Sequence, residues 1–148
     1  MAKIKYIVRV LNTDLDGRKP IAHALMKIKG IKFMFSNAIC RAAGIENTKI
    51  TGELSEAEIE NLTKVLKKPL EYNIPEWMLN RKKDYESGDD LHLYSADLDY
   101  TKMNDIKRMQ RIKSYKGMRH AAKLPLRGQR TKSNFRKGKS LTVSKKKR

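Results

Sequence analysis

The sequence predicts a mainly α-helical protein: a small helical domain, a docked extension, a long basic helix and an extended C-terminal arm. Two observations carry that prediction. Apolar residues recur at helical spacing in three stretches before residue 70, each closed by Gly or Pro. The charge is also confined to one end. Residues 101–148 hold 18 Lys and Arg against one acid, Asp105, whereas residues 1–100 hold 16 against 15. A near-neutral body with so cationic an arm is suited to a polyanion, because each phosphate it neutralises releases condensed counterions.

Taken in chain order, Ile4, Tyr6, Val8 and Val10 alternate with Lys3, Lys5, Ile7 and Arg9, which predicts a short strand or extended arm followed by a turn at Asp14 to Gly17. Pro20 suits a first helical turn. Ile21, Leu25 and Ile28 then follow at helical spacing up to Gly30, so 18–29 is read as a helix. Phe33, Phe35, Ile39, Ala42 and Ala43 give a second helix over 33–43 that stops at Gly44. Ser55 and Glu58 form a capping box for a third, whose Ile59, Leu62, Val65 and Leu66 face the core until Pro69.

Residues 71–100 differ in character, and the domain reading is 1–70, 71–100 and 101–148. Ile74, Trp77, Met78 and Leu79 are expected to anchor the middle segment in the core, against the competing reading of Trp77 as a base-stacking platform, and 84–90 to form an exposed acidic loop. From Thr101, Met103, Ile106, Met109 and Ile112 recur every third residue among cations, which predicts one helix reaching Gly117. Beyond it the arm has too little apolar surface to offset its ordering entropy and is expected to order on a partner.

One cysteine, Cys40, excludes an intramolecular disulfide or a zinc site of several thiolates, and His23, His92 and His120 are scattered, so no metal or cofactor is expected. The N-terminus lacks an apolar signal core and no stretch has the length of a membrane span, so no membrane partner is expected. The sequon at Asn61-Leu62-Thr63 falls within a helical pattern and is set aside. No phosphate-binding loop, nucleophile elbow, H-E-x-x-H pair or dinucleotide fingerprint occurs, which argues against an enzyme. A DNA-compacting chromosomal protein is the alternative that charge alone would permit.

The informative stretch begins at Arg119-His120 and continues into the arm. Its cations alternate with Gly, Gln, Thr and Asn instead of forming one run. Arg119, Arg127, Arg130, Lys132, Arg136 and Lys137 are read as phosphate contacts, and Gln129, Thr131, Ser133 and Asn134 as groups that fix register. Gly128 lets backbone approach backbone, and Phe135 offers a face on which a base can stack. His120 is open to a phosphate contact, base stacking or a structural role beside Gly117. Lys27, Lys29, Lys32 and Arg41 flank the Gly30 hinge and form a second candidate nucleic-acid contact, against the reading of a solvated face.

The run Leu124-Pro125-Leu126-Arg127-Gly128-Gln129-Arg130-Thr131-Lys132-Ser133-Asn134, followed by Arg136-Lys137-Gly138, resembles the C-terminal signature of small-subunit ribosomal protein thirteen. Asn12-Thr13-Asp14-Leu15, Ala24 to Ile31, Ala43-Gly44-Ile45 and Leu54-Ser55-Glu56 are similar to that family's N-terminal domain, which contains a helix-two-turns-helix arrangement. Ile74 to Arg81 and Lys116 to His120 resemble its archaeal and eukaryotic branch, which carries a central insertion and a longer arm. Four departures stand out: Gly30-Ile31-Lys32 where the bacterial pattern is Gly-Ile-Gly, Lys123-Leu124 where it is Gly-Leu, Ser133 for Thr, and Phe135 for a small residue.

The resemblance implies a cytoplasmic, non-enzymatic protein of the ribosome, in the head of its small subunit. Its implied partners are small-subunit rRNA, small-subunit ribosomal protein nineteen, the large subunit across an intersubunit bridge, and peptidyl-site tRNA. The tRNA contact would fall on the tail, Lys139, Lys145, Lys146, Lys147 and Arg148, for which a purely electrostatic role is the competing reading. The same resemblance raises DNA-repair glycosylases, which share the helix-two-turns-helix domain. Those enzymes use an N-terminal proline and a multi-cysteine zinc finger, whereas this chain starts Met1-Ala2 and has one cysteine.

Overall fold

The computed structural model describes residues 5–134. The chain forms two compact units that part between Tyr100 and Thr101. Among the described residues lie a two-stranded sheet, β1 (Ile7–Val10) and β2 (Thr13–Asp16), and five α-helices: α1 (Ile21–Leu25), α2 (Phe33–Ala42), α3 (Glu56–Lys67), α4 (Ser95–Arg111) and α5 (Tyr115–Ala121). The mainly helical class is therefore as expected.

Alternation places Val8 and Val10 inward along β1, and antiparallel pairing sets Val8 opposite Leu15. The second strand was not expected. The turn lies at Leu11 and Asn12, both with positive φ, and not at Asp14 to Gly17. Such a two-residue hairpin turn favours Asn-Gly, so a leucine in its first position hid it. Gly17 does have a structural duty: its N–H donates to the Tyr6 carbonyl at 2.8 Å, and a Cβ there would lie 1.8 Å from the Lys5 oxygen.

Around the hairpin, Leu15, Ile21, Leu25, Ile28, Ile31, Ile39, Leu62 and Leu66 are all but sealed from solvent and make the core. α1 is shorter than the expected 18–29. After Leu25 the chain tightens into i→i+3 bonds (Lys27 to Ala24, Ile28 to Leu25) on its way to Gly30. Within α2, Ser36 donates to the Ala22 carbonyl at 2.6 Å, which satisfies its buried hydroxyl and ties α2 to α1. α2 ends at Gly44 as predicted: φ is 69°, the Gly44 N–H bonds to Arg41 and the Ile45 N–H to Cys40. The α3 capping box is present with both bonds, and Lys49 adds an ion pair to Glu58 at 2.6 Å. These donors hold the Glu58 carboxyl below its ordinary range.

Residues 91–95 form a strap across the α1–α2 turn. His92 stacks on Phe35 with ring centres 3.8 Å apart, and its Nε2 bonds to the Gly30 carbonyl at 3.0 Å. The Asn80 amide pairs with both backbone groups of Leu93, the Ser95 N–H donates to Lys29, and the Tyr94 hydroxyl donates to the Leu66 carbonyl at 2.8 Å. Gly30 is required here twice over: its φ is +98°, and a Cβ would sit 2.5 Å from the Leu93 oxygen. The anchors of the 71–100 segment are thus Ile74, Leu79, His92 and Tyr94, with Met78, as expected, partly buried against the core. Trp77, expected in the core, is 67% exposed, because the single 3₁₀ turn Glu76–Met78 turns it outward between the buried Ile74 and Leu79. The acidic loop is exposed as expected from Tyr85 to Asp89, with Asp84 and Asp90 half-buried at its ends, and it is closed by the Arg81–Leu91 bridge and by Arg81 paired with Asp84.

Because Nε2 of His92 carries the proton donated to Gly30, Nδ1 is the unprotonated nitrogen, and it is buried without a hydrogen-bond partner. Burial holds this imidazole below its ordinary pKa of 6.5, outweighing the opposing effect of the Gly30 bond. The unfolded chain therefore takes up that proton first. The group's contribution to stability is whole above pH 6.5 and is lost as pH falls through the lower folded-state value. Urea unfolding of the protein should show a midpoint that drops on acidification below pH 6.5, and His92→Phe should flatten that drop; parallel pH profiles would contradict the assignment.

Candidate nucleic-acid interface

Local backbone bonding organises the second unit, since among its described residues Gly117 is the single one in the buried class. The sequence predicts one helix from 101 to 117; the structure has α4 beginning at Ser95, ending at Arg111, and a separate α5. The break has three parts. Lys113 takes a left-handed φ of 56°, and the N–H groups of Lys113 and Ser114 close the end of α4 onto the Gln110 and Met109 carbonyls. Ser114 then caps α5, accepting from the Gly117 N–H at 3.2 Å while donating to Met109 at 3.1 Å. Gly117 lets the two helices touch, for a Cβ there would lie 2.1 Å from the Met109 oxygen.

α5 ends in the same way. Lys123, φ 54°, donates to the His120 carbonyl and the Leu124 N–H to Arg119, so the carbonyls of the last turn are satisfied before the chain leaves the helix. Arg119 Nε donates to the Pro125 carbonyl at 2.9 Å, which fastens the first residues of the arm to α5. Arg119 thus has a positioning duty beside its predicted phosphate contact. His120 is half-buried in the last turn.

From Leu124 to Asn134 the described chain has neither helix nor strand. Arg127, Gly128, Gln129, Arg130, Lys132, Ser133 and Asn134 are exposed and Thr131 is half-buried. Gly128 is left-handed at φ 75° with open space around it, and Gln129 Oε1 accepts from the Arg127 N–H at 3.0 Å, folding this segment into a tight local turn. Arg127 and Arg130 are thereby brought to one short irregular stretch. Phe135, Arg136, Lys137, Lys139, Lys145, Lys146, Lys147 and Arg148 lie outside the described residues.

The four cations of the first unit are not one cluster. Lys27 donates to the Asp14 carbonyl at 2.5 Å, and Lys29 pairs with Asp99. That pair is exposed on both sides, so it holds Lys29 only weakly against another anion. Lys32 precedes the first turn of α2 and Arg41 lies in its last turn, about 13 Å further along the axis at 1.5 Å per residue. No group of three or more His, Cys, Asp or Glu that could hold a metal occurs among the described residues. Cys40 is fully buried with its thiol pushed up to about 11 by burial, which makes it inert.

Among the described residues, a closed apolar core in the first unit and an exposed cationic segment in the second are the features of a protein that presents basic chain to a polyanion. The sequence match agrees: the model of the ribosomal protein S13/S18 family covers residues 9–137, and the chain belongs to that family. It is 49% identical over 146 residues to the small ribosomal subunit protein uS13 of Methanopyrus kandleri, covering 97% of both chains. The uS13 proteins of Methanothermobacter thermautotrophicus and Methanocaldococcus jannaschii are 48% and 44% identical over 99% of this chain and 98% of theirs. These relatives are archaeal, as the branch-specific residues led one to expect.

Sequence reading missed the two left-handed lysines that close α4 and α5, because a lysine in that conformation has no compositional signal. At Lys123 a signal did exist: the bacterial pattern has glycine there. A non-glycine left-handed residue costs about 1–3 kcal/mol, of which glycine's extra unfolded-state freedom returns about 0.5–1. Lys123→Gly should therefore strengthen the end of α5 by about 1 kcal/mol, read as roughly fivefold slower hydrogen exchange at the Leu124 amide. Unchanged exchange would show that Lys123 carries no strain.

Proposed function

We propose that this protein is a structural constituent of the small-subunit head that binds rRNA mainly through the arm from Arg119 to Asn134 and onward to Lys137. The observation that carries the reading is the exposed Arg127–Gly128–Gln129–Arg130 turn, which follows an α5 end closed by the Lys123 cap and the Arg119–Pro125 bond. Arginine forks on a shaped backbone match phosphates bidentately, and the neighbouring amides and hydroxyls can fix register on riboses or base edges. Lys27, Lys29, Lys32 and Arg41 form secondary contacts on the helical domain.

Family membership supports the finer parts of the proposal. The segment from α2 to α3, with a left-handed turn at Gly44 and a 3₁₀ turn at Thr51–Glu53 between the helices, fits a helix-two-turns-helix arrangement. The chain then divides into a helical domain over 1–70, an insertion over 71–100 and the basic helix and arm over 101–148. Small-subunit protein nineteen, the large subunit across a bridge, and peptidyl-site tRNA at the tail (Lys139, Lys145, Lys146, Lys147, Arg148) are its proposed further partners.

Changing Arg127 and Arg130 together to Ala tests the arm. Two lost phosphate contacts should lower the slope of log affinity against log salt by about 1.4–1.8 in magnitude and weaken binding to head rRNA. An unchanged slope and affinity would remove this turn from the interface, and equal affinity of the native chain for duplex DNA at matched salt would favour a chromosomal protein.

A further inference from the structure

We propose that a groove between α2 and the 72–78 segment is a second RNA site, which takes one unstacked nucleotide of a single strand, with Trp77 as its stacking face and Arg41 as its phosphate contact. The proposal rests on the RNA-binding reading above. It begins with an anomaly in packing. The chain's sole tryptophan is 67% exposed although its neighbours Ile74 and Leu79 are 4% and 6% exposed, so the backbone turns that aims them inward aims the indole out. The indole thereby joins Tyr72 as exposed aromatic surface lining one groove.

The groove beneath it has a volume of about 580 Å³, within the roughly 300–1,000 Å³ of clefts that hold small organic groups. Its chemistry selects the occupant. Tyr72 and Trp77 supply aromatic surface, and Asn37, Asn47 and Asn73 supply amides that both donate and accept, as a base edge requires. Arg41 is the one ionised side chain in the lining, which contains no carboxylate. Three carboxylates adjoin the lining residues along the chain: Glu71, paired with Lys68 at 2.7 Å, Glu46, which accepts from the Thr48 hydroxyl, and the exposed Glu76 beside Trp77. An apolar peptide side chain in the same space would offer these amides and the guanidinium no hydrogen-bond partner, whereas a nucleotide offers both base edge and phosphate. A duplex would not enter, because its bases are already stacked.

Trp77 is its own reporter, since no other tryptophan contributes to the emission. The full-length protein would be titrated with short single-stranded RNA of mixed sequence while anisotropy of an end-labelled copy reports total binding. The expected result is strong quenching of Trp77 emission as anisotropy saturates, little quenching by duplex RNA, and persistence of the quench at higher RNA concentration in the Arg127, Arg130 double alanine variant. Trp77→Leu, which keeps an exposed apolar side chain but removes the ring, should weaken single-strand binding about tenfold, and Trp77→Phe should restore most of it. Saturated anisotropy with unchanged Trp77 emission would overturn this site and leave the arm's role standing. No anisotropy change with any RNA would overturn both.

Discussion

Like-charge repulsion is the constraint on which the rest depends. The 48 residues of the C-terminal third carry 18 cations and one acid, and no arrangement of them can be packed together. The structure answers by doing without burial there: Gly117 is the one residue of 101–134 in the buried class. Order comes instead from backbone groups that satisfy one another. Left-handed residues at Lys113 and Lys123 close two helices, Ser114 serves one helix as cap and the other as terminator, and Arg119 spends one donor on the Pro125 carbonyl. Lysine at a helix end also meets the negative end of the macrodipole, so charge and cap are complementary there. What results is a short, locally shaped cationic segment whose guanidiniums at Arg127 and Arg130 stay in solvent.

The first unit obeys the opposite rule. Nearly neutral, it can close an aliphatic core, and its most demanding point is Gly30, where the strap 91–95 crosses. There the Leu93 carbonyl comes too close for any side chain, His92 fills the space over Phe35, and Ser95 bonds to Lys29 as α4 begins. The Gly-Ile-Lys variant at 30–32 keeps the one glycine that the crossing needs and leaves Lys32 exposed ahead of α2. Loss of the second glycine of the bacterial pattern is thus compatible with the turn.

Local signals were legible in the sequence and distant ones were not. The Ser55–Glu58 capping box, the Gly44 terminator and the inward alternation of Val8 and Val10 each depend on residues within a few positions of one another, and each stands where it was read. The hairpin turn was hidden by a leucine in a left-handed position, and the α4–α5 break by a lysine in another. Both are conformations that composition does not announce. Trp77 misled because hydrophobicity predicts burial, whereas a single 3₁₀ turn decides which of three adjacent apolar residues faces out. The role of His92 depends on Gly30, 62 positions away, and no spacing rule reaches that far. For the proposed binding surface, the arm stands out in the sequence because its signal is charge interleaved with polar residues. The Trp77 groove was not, because its lining comes from three separated stretches of chain.

The most direct test is sedimentation of an extract from cells expressing a tagged copy, with sequencing of the nucleic acid crosslinked in the fraction that carries it. An rRNA-binding protein of the small-subunit head should co-migrate with small subunits and crosslink to the rRNA of the head. A chain spread over chromosomal DNA, or left free at the top of the gradient, would contradict the account.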